Sequence, residues 1–117
     1  MRFALAVIKF FRTLPFSVEA QVIGKQLLKS ATSTAANYRA ACRGRSRAEF
    51  FSKLSIVVEE ADESLFWLEV IREAGISSGG ELDELLQEAE VLVRIFSSTR
   101  KTARENMRKS PNRQITK

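Results

Sequence analysis

The sequence predicts an all-α fold, an antiparallel up-down-up-down four-helix bundle, on three observations. Four apolar-periodic segments are separated by breaks rich in Gly, Pro and Ser. Val and Ile recur at helical rather than alternate spacing, so no segment reads as a strand. Connections of about three to six residues oblige neighbouring helices to run antiparallel. The 117 residues fit one domain. Residues 1–109 are expected to form the bundle, and residues 110–117 a disordered basic tail.

The first segment, residues 2–14, places Leu5, Ile8 and Phe11, or Val7, Phe10 and Leu14, on adjoining faces before Pro15 ends it. The second, residues 17–42, sets Ala20, Gly24, Leu27, Ala31, Thr34, Tyr38 and Ala41 at alternating steps of four and three, a heptad seam. Residues 30–36 are all Ser, Thr or Ala, so a neighbouring helix can approach closely there. Ser46 and Glu49 form a capping box that opens the third segment. Its seam runs through Phe50, Leu54, Val57, Ala61, Ser64, Leu68 and Ile71 until Gly75 caps it. Ser78 and Glu81 suggest a second box, after which Leu82, Leu85 or Leu86, Ala89, Leu92 or Val93, and Phe96 turn inward, with fraying expected near Met107. Helices two and three, at roughly 26 and 29 residues, span about 40 Å. Helix one is about half as long. Either the bundle is open at one end or Met1 lies inside the natural helix.

Composition removes several classes of function. With no His and a single Cys, the usual general base, the commonest metal ligand and any intrachain disulfide are missing. Glu59, Glu60, Asp62 and Glu63 match a metal-bridging bundle only in part, because the His partners of such sites are absent. These carboxylates are expected to pair with Arg or Lys across the bundle. Asn37, Tyr38 and Arg39 are expected to reach Glu60 or Glu63. No Ser or Thr has a nearby base to activate it, so neither catalysis nor a cofactor is expected. The apolar run after Arg2 is six residues long before Lys9 interrupts it, too short for a signal peptide. No run is long enough to cross a membrane. Together with the lone Cys42, this suits the cytoplasm.

Charge is strongly segregated. Residues 1–58 carry +8, residues 59–90 carry −10 and residues 91–117 carry +7, for a net +5 and a pI near 9.8. Arg39, Arg43, Arg45, Arg47 and Lys53 gather around the turn between helices two and three, where Gly44 lets the chain bend. Bases disfavour the positive end of a helix dipole unless an anion sits there, so Arg47 at the start of helix three points to a phosphate site. The basic residues from Arg94 onward read as a solvated helix end and a tail. Helix three also carries Phe51, Val58, Phe66 and Trp67 around its circumference, more apolar surface than a monomeric bundle needs.

Five motifs in order carry a family resemblance: GKQLLKS at residues 24–30, ANYRAA at 36–41, RSRAEF at 45–50, EEADE at 59–63 and WLE at 67–69. Over about residues 3–107 the chain resembles the bacterial 23S rRNA intervening-sequence proteins. The resemblance implies a four-helix bundle assembled into ring-like pentamers, and no catalytic residues. It also implies kinship with accessory proteins of diversity-generating retroelements, which bind a reverse transcriptase and RNA through basic surfaces. The expected function is a non-catalytic homo-oligomer binding RNA or another nucleic acid electrostatically through the basic turn. The alternative is a protein-interaction scaffold, or an accessory subunit, that makes no nucleic-acid contact.

Overall fold

Two serines start the long helices. Ser17 and Ser46 are extended N-caps whose hydroxyls accept from the backbone N–H of Ala20 (3.4 Å) and Glu49 (3.1 Å). The computed structural model describes residues 1–109. It contains α1 (Arg2–Phe11), α2 (Val18–Cys42), α3 (Arg47–Glu73) and α4 (Gly80–Lys109). The expected tail, residues 110–117, lies outside the described residues. Gly75, at φ +68°, ends α3, and the Ile76 N–H closes the cap on the Ile71 carbonyl at 3.0 Å. The second box does not form. Gly79, at φ +114°, precedes α4, and Ser78 makes no side-chain hydrogen bond among the described residues.

α2 packs on α1 and α3, and α4 packs on α3 and α1, so α1 and α3 are diagonal in an up-down-up-down bundle about 50 Å long and 19 Å wide. No strand occurs among the described residues. Because α1 has 10 residues against 25 to 30 in the others, it covers only the half of the bundle that holds the α1–α2 and α3–α4 connections. There Val7, Phe10 and Leu14 pack with Leu27, Leu68, Ile71, Leu82 and Leu85 in the main core. The other half is three-helical, with a smaller core of Leu54, Val57 and Ala103 flanked by Phe50, Phe51 and Phe96.

The seams are observed with local shifts. α3 buries Leu54, Val57, Ala61, Ser64, Leu68 and Ile71, while Phe50 is half-buried. On α2, Ser30 joins the buried set, and Tyr38 leaves it at 44% exposure because α1 does not reach far enough to cover it. In the first segment the second alternative holds: Val7, Phe10 and Leu14 are buried and Leu5 is exposed. Both Leu85 and Leu86 are inside, whereas Leu92, Val93 and Phe96 are half-buried, Leu92 against the main core and Phe96 against the smaller one. Ser64 donates to the carbonyl of Glu60 (2.9 Å) and lies 2.9 Å from the Ser30 hydroxyl, a buried polar link between α2 and α3.

Gly24 determines how closely α1 approaches. A Cβ there would lie 2.7 Å from a Leu14 methyl and 3.0 Å from the Phe11 ring. Leu is a better helix former than Gly by roughly 0.8 kcal/mol, so propensity alone favours Gly24→Leu. We expect that substitution instead to destabilise the protein by about 1 to 3 kcal/mol through overpacking, measured by urea unfolding.

Candidate nucleic-acid interface

The turn that joins α2 to α3 is tight for a steric reason. Gly44 is buried, and a Cβ on it would lie 3.1 Å from the Ala41 carbonyl oxygen and 3.3 Å from the Phe50 backbone nitrogen. This pulls Arg43, Arg45 and Arg47 together at one end of the rod. Arg43 and Arg45 are exposed and Arg47, the first residue of α3, is half-exposed. The N-terminus of α3 is already capped. The Glu49 N–H binds Ser46, and the Glu49 carboxylate accepts from the Arg45 backbone N–H at 3.5 Å. Anion attraction at this turn therefore rests on the guanidinium groups rather than on free helix N–H groups. Arg39 stands on the outer face of α2, in an apolar cleft of about 260 Å³ formed with Leu5, Ile8, Thr32 and Ala36. Lys53 lies half-buried about 9 Å further along α3. The five residues thus divide into a turn cluster of three with one outlier on each neighbouring helix.

Antiparallel packing adds a group that linear reading left as a solvated helix end. The last turns of α4 lie beside the first turns of α3, bringing Arg100, Lys101, Arg104, Arg108 and Lys109 to the end that holds the basic turn. Arg100 and Arg104 sit 4.8 and 5.7 Å from the centre of the Phe51 ring, within cation–π reach. The Arg100 Nε donates to the Ser55 hydroxyl at 2.9 Å, and that hydroxyl donates to the Phe51 carbonyl at 2.9 Å. The spacing of Arg100, Arg104 and Arg108 was legible as a single helix face. Their aromatic partner on α3 was not.

The acidic residues do not neutralise this end. Among the described residues the one ion pair is Arg72 with Glu73, 3.4 Å apart and both exposed. Among the described residues Glu59, Glu60, Asp62 and Glu63 form none of the expected cross-bundle ion pairs, and from across the bundle only Lys29 of α2 acts on Glu60 electrostatically. In the register that sets Arg100 on Ser55, the antiparallel α3–α4 hairpin places Glu69 and Glu73 beside the acidic first turns of α4, so like charges share that half, and leaves Glu59 to Glu63 near the middle of the rod. Burial pushes the Glu60 carboxyl above its ordinary range, Glu63 and Glu59 add to the shift, and Lys29 opposes it. The expected link from Asn37, Tyr38 and Arg39 to these acids is also absent. Asn37 donates within α2 to the Ser33 carbonyl (2.9 Å). Tyr38 packs on Phe96 at 5.4 Å across the diagonal that α1 leaves uncovered, and the adjacent Cys42 raises its phenol pKa.

Of the aromatic surplus expected on α3, Phe51 is engaged by α4, and Trp67 packs on the core with its Nε1 donating to Glu63 at 3.2 Å. Phe66 remains 52% exposed, Val58 is half-buried, and Phe16 at the α1–α2 connection is 94% exposed. Among the described residues no three His, Cys, Asp or Glu side chains gather as a metal site, and no helix is long and apolar enough to cross a membrane.

An all-α bundle with one basic end and one acidic half defines a class of small charge-displaying helical protein rather than a chemistry. Residues 1–98 match the family described as 23S rRNA-intervening sequence protein, and the chain belongs to it. No curated protein matches the sequence significantly. Among solved structures, the chain is similar to a crystal structure of a protein of unknown function from the S23 ribosomal protein family of Bacteroides thetaiotaomicron VPI-5482. The two share 30% identity over 86% of this chain and 93% of that one, with a TM-score of 0.74.

The raised Glu60 carboxyl has a testable consequence. A carboxyl that binds its proton more tightly in the folded state contributes stability at low pH, and this is lost as pH rises through the folded value. Glu60→Gln should therefore melt higher than the wild type at neutral pH, and the difference should vanish below the ordinary carboxylate range, as read by thermal unfolding across pH.

Proposed function

We propose that the protein is a non-catalytic, homo-oligomeric bundle of the bacterial cytoplasm that binds nucleic acid, RNA above all, by electrostatic contact at its basic end. The observation that carries this reading is that Arg43, Arg45 and Arg47 have no ion-pair partner among the described residues, at one end of a rod whose acids lie mostly in the other half. Unpaired guanidiniums release counterions when they meet phosphates, which gives affinity without base readout. The family's own description, which refers to 23S rRNA, agrees with an RNA partner. Repeating the basic end around an oligomer multiplies weak contacts into useful avidity.

Self-association is supported by the small-residue face of α2. Thr32, Ala35 and Ala36 form, with Leu5 and Ile8, a shallow apolar cleft into which a helix of another subunit can pack. The family resemblance suggests five subunits. A second reading, a scaffold or accessory subunit that binds a protein partner and no nucleic acid, is favoured by the exposure of Phe16 and Phe66.

Light scattering at micromolar concentration should give a multiple of the 13.2 kDa chain mass; a stable monomer would count against the oligomer. Replacing Arg43, Arg45 and Arg47 with Gln should weaken binding to a structured RNA in gel-shift titrations and lower the log–log salt slope by about 2.1 to 2.7. The melting temperature should scarcely move, because none of the three side chains has an ion-pair partner among the described residues. The scaffold reading predicts unchanged RNA behaviour in this variant.

A further inference from the structure

We propose that the groove between α3 and α4 at the basic end is a second phosphodiester-binding face, in which Arg100, Arg104 and Arg108 of α4, with Arg47 of α3, take the backbone of an RNA strand running along α4. The proposal rests on the nucleic-acid reading above and extends it from the turn to a separate element. Residues four apart share a helix face and rise about 6 Å per step, so the three α4 arginines form a straight stripe about 12 Å long. On α3, Arg47, Phe51 and Ser55 have the same spacing, and the contacts of Phe51 and Ser55 with Arg100 and Arg104 place the two stripes against each other.

Like charges four residues apart repel, yet no carboxylate lies within ion-pair distance of these arginines among the described residues. The Phe51 ring and the Ser55 hydroxyl hold Arg100 and Arg104 in place instead. A guanidinium stacked on a ring keeps its edge N–H groups available for bidentate contact with phosphate. With Nε committed to Ser55, Arg100 retains its two terminal nitrogens for such a contact. A row of evenly spaced cations, two of them anchored on α3 and none neutralised among the described residues, suits a polyanion whose charges also recur at regular intervals.

The test uses the full chain and a fluorescein-labelled RNA hairpin, with anisotropy titrations at about 50 and 200 mM salt. Arg104→Gln/Arg108→Gln removes two exposed arginines that make no side-chain hydrogen bond among the described residues. It should weaken binding at least tenfold at the lower salt and reduce the log–log slope by about 1.4 to 1.8. Phe51→Leu keeps every charge, and should weaken binding while leaving the slope unchanged. Circular dichroism checks that both variants remain folded, and Arg108→Gln alone, with half the slope change, replaces any that does not. If the double variant binds like the wild type while the turn variant is impaired, the groove is overturned and the proposed function stands. If the wild-type chain fails to bind the hairpin at either salt, both fall. If the double variant instead changes the oligomeric mass, the stripe is a contact with the acidic half of another copy, and the proposal is overturned.

Discussion

The packing of small side chains along α2 is the constraint on which the rest of the structure depends. Ala20, Gly24, Ser30, Ala31, Thr34 and Ala41 are all buried, and only Leu27 among the buried residues of this helix is large. Such a surface lets α1 and α3 approach closely, and close approach makes register strict. Phe11 at the end of α1 and Leu14 just after it seat against Gly24, where no Cβ fits without displacing them. On the α3 side, the hydroxyls of Ser30 and Ser64 meet at 2.9 Å in a fully buried position. A slide by one heptad would set Ser30 against Val57 or Ile71, both too large for the space. Dense interiors tolerate such mismatches poorly.

Register on α2 then determines where charge lies. With α3 held in place and joined to α4 by a short connection, Glu69 and Glu73 of α3 and the acidic first turns of α4 fall in the same half of the rod. The start of α3 and the end of α4 fall in the other half, beside the end of α2. The result is a molecule polarised along its 50 Å axis. Arg39 and Arg43, near the C-terminus of α2, and Arg108 and Lys109, at the C-terminus of α4, also complement the helix dipoles. Arg45 and Arg47 face an unfavourable dipole that the Glu49 carboxylate partly offsets. Each basic residue is tolerated locally, but their joint repulsion is relieved by no ion pair among the described residues.

The shortness of α1 shapes the remaining surfaces. Where it packs, the core is four helices thick. Beyond Met1, Tyr38 and Phe96 are left to meet across the gap, beside a cleft of about 160 Å³ lined also by Thr34 and Leu92. The half that displays the basic residues is thus the thinner half, with Leu54, Val57 and Ala103 as its buried apolar centre.

The sequence by itself determined the helix count, the breaks, the seam of α3 and the basic turn, because these follow from local periodicity, from Ser46 and Gly75 at helix ends, and from the step at Gly44. Local signals also misled where two chemistries share a motif: Ser78 had the spacing of a cap, yet Gly79 with positive φ leads into α4 without it. Only the tertiary structure decided which faces meet. That α1 stops short of Tyr38, that Glu69 and Glu73 of α3 lie beside the first acids of α4, and that Arg100 and Arg104 lie over the Phe51 ring all depend on the relative height of helices far apart in the chain. Register of this kind arises from packing volumes such as Gly24 against Leu14 and Ser30 against Ser64, which a one-dimensional pattern of apolar and polar residues does not encode.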